Sequence, residues 1–297
     1  IYFLARRLWG SQVALLSTLF LAFDPFLLAH SRVLHTDALL TLFMTLALLS
    51  LILALRSPWS WKMLMMAGLA TGFAVLSKSP ALFLFPFAGL LALLIALTDR
   101  SGTSREQAAC QLLQRLGIWG GIAVLTFLVF WPAMWVSPLQ TLQEMWNTAI
   151  GYAKTGHAQG NFFWGREVWD PGALFYPVSL LFRSTPVSLV GLVIILISGA
   201  GAAVGRLVAR SGELLKGERE QIGLALCTYI ILFGVFISGA KKFDRYLLPI
   251  YPTVDILAAV GWCFVLDKWG VRRMRGVVGK RWVLGVGVAV LLILQMG

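Results

Sequence analysis

The chain has 297 residues, of which 59% are hydrophobic and only 13% charged, and its mean hydropathy is +0.81. A soluble domain is roughly 45–50% apolar and about 25% charged, so a soluble fold is excluded and a polytopic membrane protein is expected. Cys110, Cys227 and Cys263 show no CxxC or metal-ligand spacing, which excludes a disulfide framework.

Crossing a bilayer as a helix takes about 20 apolar residues. Runs of that kind lie at 11–29, 38–55, 63–77, 81–97, 116–136, 174–204, 222–238, 246–266 and 282–297. The reading is an all-α membrane protein of about nine transmembrane helices, with residues 1–297 forming a single transmembrane domain. The third run is short, and the sixth is long enough to tilt or to start as an interfacial turn. The chain opens on Ile1 and ends at Gly297 inside an apolar run, which reads as an internal piece of a longer protein.

Lys and Arg divide unequally between alternating loops. Seventeen of the 25 fall on one side, and eight (Arg32, Lys78, Lys154, Arg166, Arg183, Lys241, Lys242 and Arg245) on the other. The basic-rich side is expected to be cytoplasmic. The net charge of +12 is then mainly a topology signal, and no nucleic-acid partner is expected. His30, His35 and His157 all fall on the opposite, extracytoplasmic side, with Asp37, Glu144, Glu167, Asp170 and Asp244. Any chemistry is expected on that face.

Four clusters stand there. The first runs from His30 through Arg32 and His35 to Asp37. Thr36 or Asp37 suits the N-cap of the following helix, but capping leaves Arg32 and two histidines unexplained. Arg32 and Asp37 either pair with each other or hold a phosphate and a divalent metal, for which Asp37 and His35 are candidate ligands. The second is Ser77-Lys78-Ser79-Pro80, a tight turn whose lysine either snorkels or holds an anion.

The third is the stretch 137–173, expected as an extracytoplasmic loop. Ser137-Pro138 reads as an N-cap with Pro at the first helical position. Leu139, Leu142, Met145, Trp146 and Ile150 then recur at helical spacing, which predicts an amphipathic helix in the interface. Gly156, Gly160 and Gly165 are expected to break regular structure around Phe162-Phe163-Trp164. His157, Arg166, Glu167, Asp170 and Tyr176 are the candidate substrate-loop residues. A loop this long in a compact protein tends to carry function.

The fourth cluster is Lys241-Lys242-Phe243-Asp244-Arg245-Tyr246, followed by Pro249 and Pro252. Its spacing puts Lys241, Lys242 and Arg245 on one helical face. A bound phosphate would offset three cations at a helix N-terminus. Asp255, further along the same run, reads as a structural hydrogen-bond acceptor within the span.

Taken together, these segments resemble the GT-C membrane glycosyltransferases, in the branch of the protein O-mannosyltransferases and the lipid A aminoarabinose transferase. The resemblance is carried by Arg6-Arg7-Leu8-Trp9-Gly10, Asp24-Pro25, His30 to Asp37, and Leu76-Ser77-Lys78-Ser79-Pro80. It continues in Asp170-Pro171-Gly172, Phe175-Tyr176-Pro177, Arg183 and Lys241 to Pro249. It implies an enzyme that moves a sugar from a polyprenyl-phosphate carrier to a protein, lipid or polysaccharide acceptor outside the cytoplasm, at the plasma (cell inner) membrane. Arg245, Lys241, Lys242, Arg32 and Lys78 are then the candidates for holding the donor phosphate. Asp37 matches a supporting acidic position. The leading acidic loop of the family is expected ahead of Ile1, so this stretch alone is expected to be inactive. The alternative is a transporter or flippase of a lipid-linked anion, although the paired repeats such proteins often carry are not visible.

Overall fold

The computed structural model describes residues 1–56, 60–98, 104–154, 160–208 and 217–267, with the single positions 287, 290 and 293. Its helices in chain order are α1 (Tyr2–Trp9), α2 (Ser11–Ala22), α3 (Pro25–Ser31), α4 (Asp37–Arg56), α5 (Trp61–Ser77) and α6 (Leu84–Thr98). Then come α7 (Arg105–Phe130), α8 (Ala133–Val136), α9 (Pro138–Lys154), α10 (Phe175–Arg183), α11 (Pro186–Val208), α12 (Glu218–Phe236) and α13 (Tyr251–Leu266). Two 3-10 segments, Ser79–Phe83 and Asp244–Ile250, lead into α6 and α13, and strands β1 (Asn161–Phe163) and β2 (Arg166–Val168) form a hairpin.

Five continuous helical stretches are long and apolar enough to cross a membrane: Asp37–Arg56, Ser79–Thr98, Arg105–Phe130, Glu218–Phe236 and Asp244–Leu266. Two more candidate spans are broken pairs, α2 with α3 bent by 56° and α10 with Pro186–Gly201 bent by 117°. The run expected over 174–204 is therefore two helices with a sharp corner. Thr185 and Pro186 cause it, since the residue before a proline is pushed away from helical geometry. Helix α5 is apolar but only 17 residues long. The ninth expected span, 282–297, lies outside the described residues apart from three positions. The chain is a multi-pass membrane protein.

The chain divides into two compact units. In the first (1–33, 181–227 and 251–297), α13 packs on α2 and α11. At the α11–α13 contact a Cβ on Gly191 would come within 2.6 Å of the Ala258 carbonyl oxygen, so only glycine allows this approach. Asp24 starts α3 by accepting the Leu27 N–H at 2.7 Å, with Pro25 at the first helical position. Asp255, 1% exposed, accepts the Ser188 hydroxyl at 2.6 Å, which is the hydrogen bond the sequence suggested.

The second unit holds 34–180 and 228–250. Its centre is α4, packed on α5, which packs in turn on α7. Trp119 on α7 donates to the Thr71 hydroxyl of α5 at 3.1 Å. Arg115, also on α7, donates to the Ala54 and Leu55 carbonyls at 2.9 Å each. It thereby satisfies carbonyls that the last turn of α4 leaves open. Phe83, Phe87, Tyr229 and Phe233 form an aromatic cluster beneath the second 3-10 segment.

Candidate functional site

Three segments of the second unit, distant in sequence, converge at one end of α4. Asp37 is the first residue of α4 and is 3% exposed. Lys78 is the extended residue (φ −168°) between α5 and the first 3-10 segment. Pro80 follows it by two and cannot continue the helix. Arg245 lies in the second 3-10 segment.

The Lys78 Nζ donates to Asp37 Oδ1 at 2.5 Å. Arg245 Nε stands 3.6 Å from Asp37 Oδ2, an ion-pair distance too long for a hydrogen bond. The Lys78 ammonium also sits 4.6 Å from the centre of the Tyr246 ring, and the Arg245 guanidinium 4.4 Å from that of Phe243. Both are cation–π contacts. One buried carboxylate thus organises two cations and leaves the trio one positive charge in excess. No protein partner for the Arg245 terminal nitrogens is found among the described residues. Its side chain is 39% exposed, so the planar fork is open to an anion.

His35 contributes differently from expectation. Its Nδ1 accepts the Asp37 backbone N–H at 3.2 Å, taking one of the N–H groups that the start of α4 leaves open. That frees the Asp37 side chain for Lys78 and Arg245. The same nitrogen lies 3.3 Å from Asp37 Oδ2. A divalent ion on Asp37 and His35 does not fit this arrangement. Both carboxylate oxygens already face cations, and the imidazole nitrogen nearest them is taken by the backbone. Among the described residues no group of three or more His, Cys, Asp or Glu side chains gathers as a metal site.

The fourth cluster departs from its expected form. Lys241, Lys242 and Phe243 precede the 3-10 segment, so they share no helical face with Arg245. Pro249 lies inside this 3-10 segment and, having no N–H, donates to neither the Arg245 nor the Tyr246 carbonyl. The buried carbonyl of Pro249 accepts a hydrogen bond at 3.4 Å from the hydroxyl of Tyr229, a fully buried residue on α12.

Lys242 turns inward, 3% exposed, and its ammonium donates to Asp170 Oδ1 at 2.6 Å. Asp170 also accepts the Gly172 N–H at 2.9 Å. These bonds, the Lys242 one foremost, hold its carboxyl below the ordinary aspartate range. Tyr176 is buried at the start of α10, its hydroxyl beside the Phe243 backbone. Lys241 is half-buried. Arg166 and Glu167 are exposed on β2. Arg32 is exposed at the end of α3 and belongs to the first unit. His157 lies outside the described residues.

Helix α9 forms where the helical spacing places it, with Leu139 and Trp146 strongly exposed. The stretch after it holds regular structure where interruption was expected. Trp164 (φ 53°) and Gly165 (φ 76°) form the two-residue turn of the hairpin, and positive φ at both positions is the signature of a tight type I′ connection. The signal was present as Trp-Gly between short aromatic and charged runs. Tyr246, which faces Lys78 across 168 positions, carried no such signal.

The sequence of residues 1–135 matches the family described as dolichyl-phosphate-mannose-protein mannosyltransferase. That segment contains Asp37 and Lys78. Among solved structures the chain resembles ArnT from Cupriavidus metallidurans bound to undecaprenyl phosphate. The TM-score is 0.58 at 17% identity, covering 98% of this chain and 46% of that one. It also resembles the oligosaccharyltransferase AglB from Archaeoglobus fulgidus in complex with an inhibitory peptide and a dolichol-phosphate. There the TM-score is 0.52 at 14% identity, with 99% and 42% covered.

The fold is GT-C.

The chain spans under half the length of either structure. No curated protein sequence matches it. Asp37 at the head of α4 and Lys78 after α5 lie inside the segment matched by the mannosyltransferase family. Lys242, Asp170 and Arg245 lie beyond it.

Proposed function

We propose that the protein of which this GT-C chain is part transfers a sugar from a polyprenyl-phosphate carrier to an acceptor hydroxyl or amine. The extracytoplasmic face of the plasma membrane is the side proposed for the reaction. The observation that carries the reading is the excess of cation around buried Asp37, with the Arg245 fork open. In such a transfer the bond from the sugar C1 to the phosphate oxygen breaks and that oxygen gains negative charge. The acceptor atom bonds to C1 and gives its proton to a base. Preorganised cations in a water-poor site stabilise the charge as it develops.

In this reading Arg245 and Lys78 face the phosphate, with Lys241 as a further candidate. Both oxygens of Asp37 are engaged, so its work is to set the two cations and not to take the acceptor proton. The ligands of the ArnT and AglB structures, undecaprenyl phosphate and dolichol-phosphate, support a lipid phosphate as carrier.

The test is transfer of radiolabelled sugar from polyprenyl-phosphate donors in vesicles containing the full-length protein. Label should leave the carrier with wild type, and the rate should fall by about 10²-fold or more in Arg245→Ala, the scale of losing one charge-stabilising group. Label that crosses the bilayer while still on its carrier would identify a flippase instead.

A further inference from the structure

Lys242 stands in a basic segment, beside Lys241 and near Arg245, yet its ammonium is turned away from solvent, with a side chain only 4% exposed. Its partner lies 72 positions away at 2.6 Å. That partner, Asp170, is 59% exposed and closes the loop that carries the β1–β2 hairpin. A buried ammonium needs a compensating charge, and Asp170 supplies it from the loop side. The Gly172 N–H on the same carboxylate oxygen fixes the Asp170-Pro171-Gly172 turn. The pair therefore fastens the loop to the segment that, three residues on, presents Arg245.

We propose that Asp170 and Lys242 are positioning residues, a clasp that fixes the hairpin loop for the acceptor, and that Lys242 does not hold the donor phosphate. The clasp rests on the transferase reading above. The phosphate has Arg245 and Lys78, both more open than Lys242. The fastened loop presents Phe162, Trp164 and Trp169, 74%, 67% and 74% exposed, together with Arg166 and Glu167. That mixture of flat apolar and charged groups suits an acceptor. Breaking the clasp should loosen the acceptor surface and leave donor binding alone.

The experiment measures donor and acceptor kinetics separately in the full-length protein, for Asp170→Asn, Lys242→Ala and the exchange pair Asp170→Lys with Lys242→Asp. Hydrogen exchange over 160–173 is followed in parallel. Each single variant should lower kcat/KM for the acceptor by about 10²-fold, the scale of a misplacement of about 1 Å, with donor KM unchanged and faster exchange in the loop. The exchange pair should recover part of the acceptor efficiency and the slow exchange. A rise in donor KM in Lys242→Ala, with no recovery in the exchange pair, makes Lys242 a phosphate ligand and overturns the clasp. Unchanged loop exchange in Asp170→Asn overturns it too. Absence of any transfer by wild type counts against the transferase reading, while the exchange data still decide whether the clasp exists.

Discussion

Lys78 and Asp37, 41 positions apart in sequence, meet at 2.5 Å at the head of α4, so the turn after α5 and the start of α4 form one structural unit. The Asp37 side chain is 5% exposed and that of Lys78 26%. Breaking a buried pair from one side leaves an uncompensated charge.

Lys78→Ala should therefore lower stability by about 3 kcal/mol, reduced because the lysine is partly wet. Thermal unfolding in detergent checks this. A change within error would mean that Asp37 is satisfied by Arg245 alone. Lys78→Arg should keep most of the stability, since the charge remains.

Arg245→Lys keeps a cation and loses the planar fork. If the fork grips phosphate through two bonds, this variant should raise donor KM well above wild type while folding normally. Equal donor KM in Arg245→Lys and wild type would show that Arg245 acts as a point charge.

The Asp170 clasp has a defined pH dependence. A carboxyl held below its ordinary range favours the closed form above that range and loses this advantage as pH falls through its folded value. The Asp170 bonds with Lys242 and Gly172 lower it in this way. The loop should stay closed from neutral through mildly acidic pH and open only below the ordinary aspartate range. Limited proteolysis across 160–173 at stepped pH reads this directly, and opening near neutrality would contradict it.

Helix α5 approaches α7 through Gly72, where a Cβ would come within 2.5 Å of the Thr126 Cβ and 2.8 Å of the Ala123 carbonyl oxygen. Gly72→Ala should cost about 1–3 kcal/mol, the usual scale of overpacking. Pairing it with Thr126→Ser removes one methyl and should return part of that loss.

The expected fold was legible where one element decides its own fate. Long apolar runs become α4, the Ser79–Thr98 stretch and α7 because each helix satisfies its own backbone hydrogen bonds. Ser137-Pro138 and the Leu and Trp spacing marked α9 for the same local reason. Local structure departs from the expectation in two places. Lys241 and Lys242 precede the 3-10 segment that holds Arg245, so the three cations have no common helical face. The Trp164-Gly165 turn makes a hairpin of a stretch expected to be irregular.

At the candidate site the sequence determined which charges are present: Asp37, Lys78, Lys242 and Arg245, each beside a residue that ends or begins an element. Which charge meets which was decided only by the tertiary structure. Lys78 lies 41 positions from Asp37 and Lys242 lies 72 from Asp170. Separations that long are set by packing, above all by Gly68 and Gly72 holding α5 close to α7 and by α4 against the second 3-10 segment. A lysine's sequence neighbours say that it ends a helix, but its burial, and so its need for one particular carboxylate, exists only once the chain has folded around it.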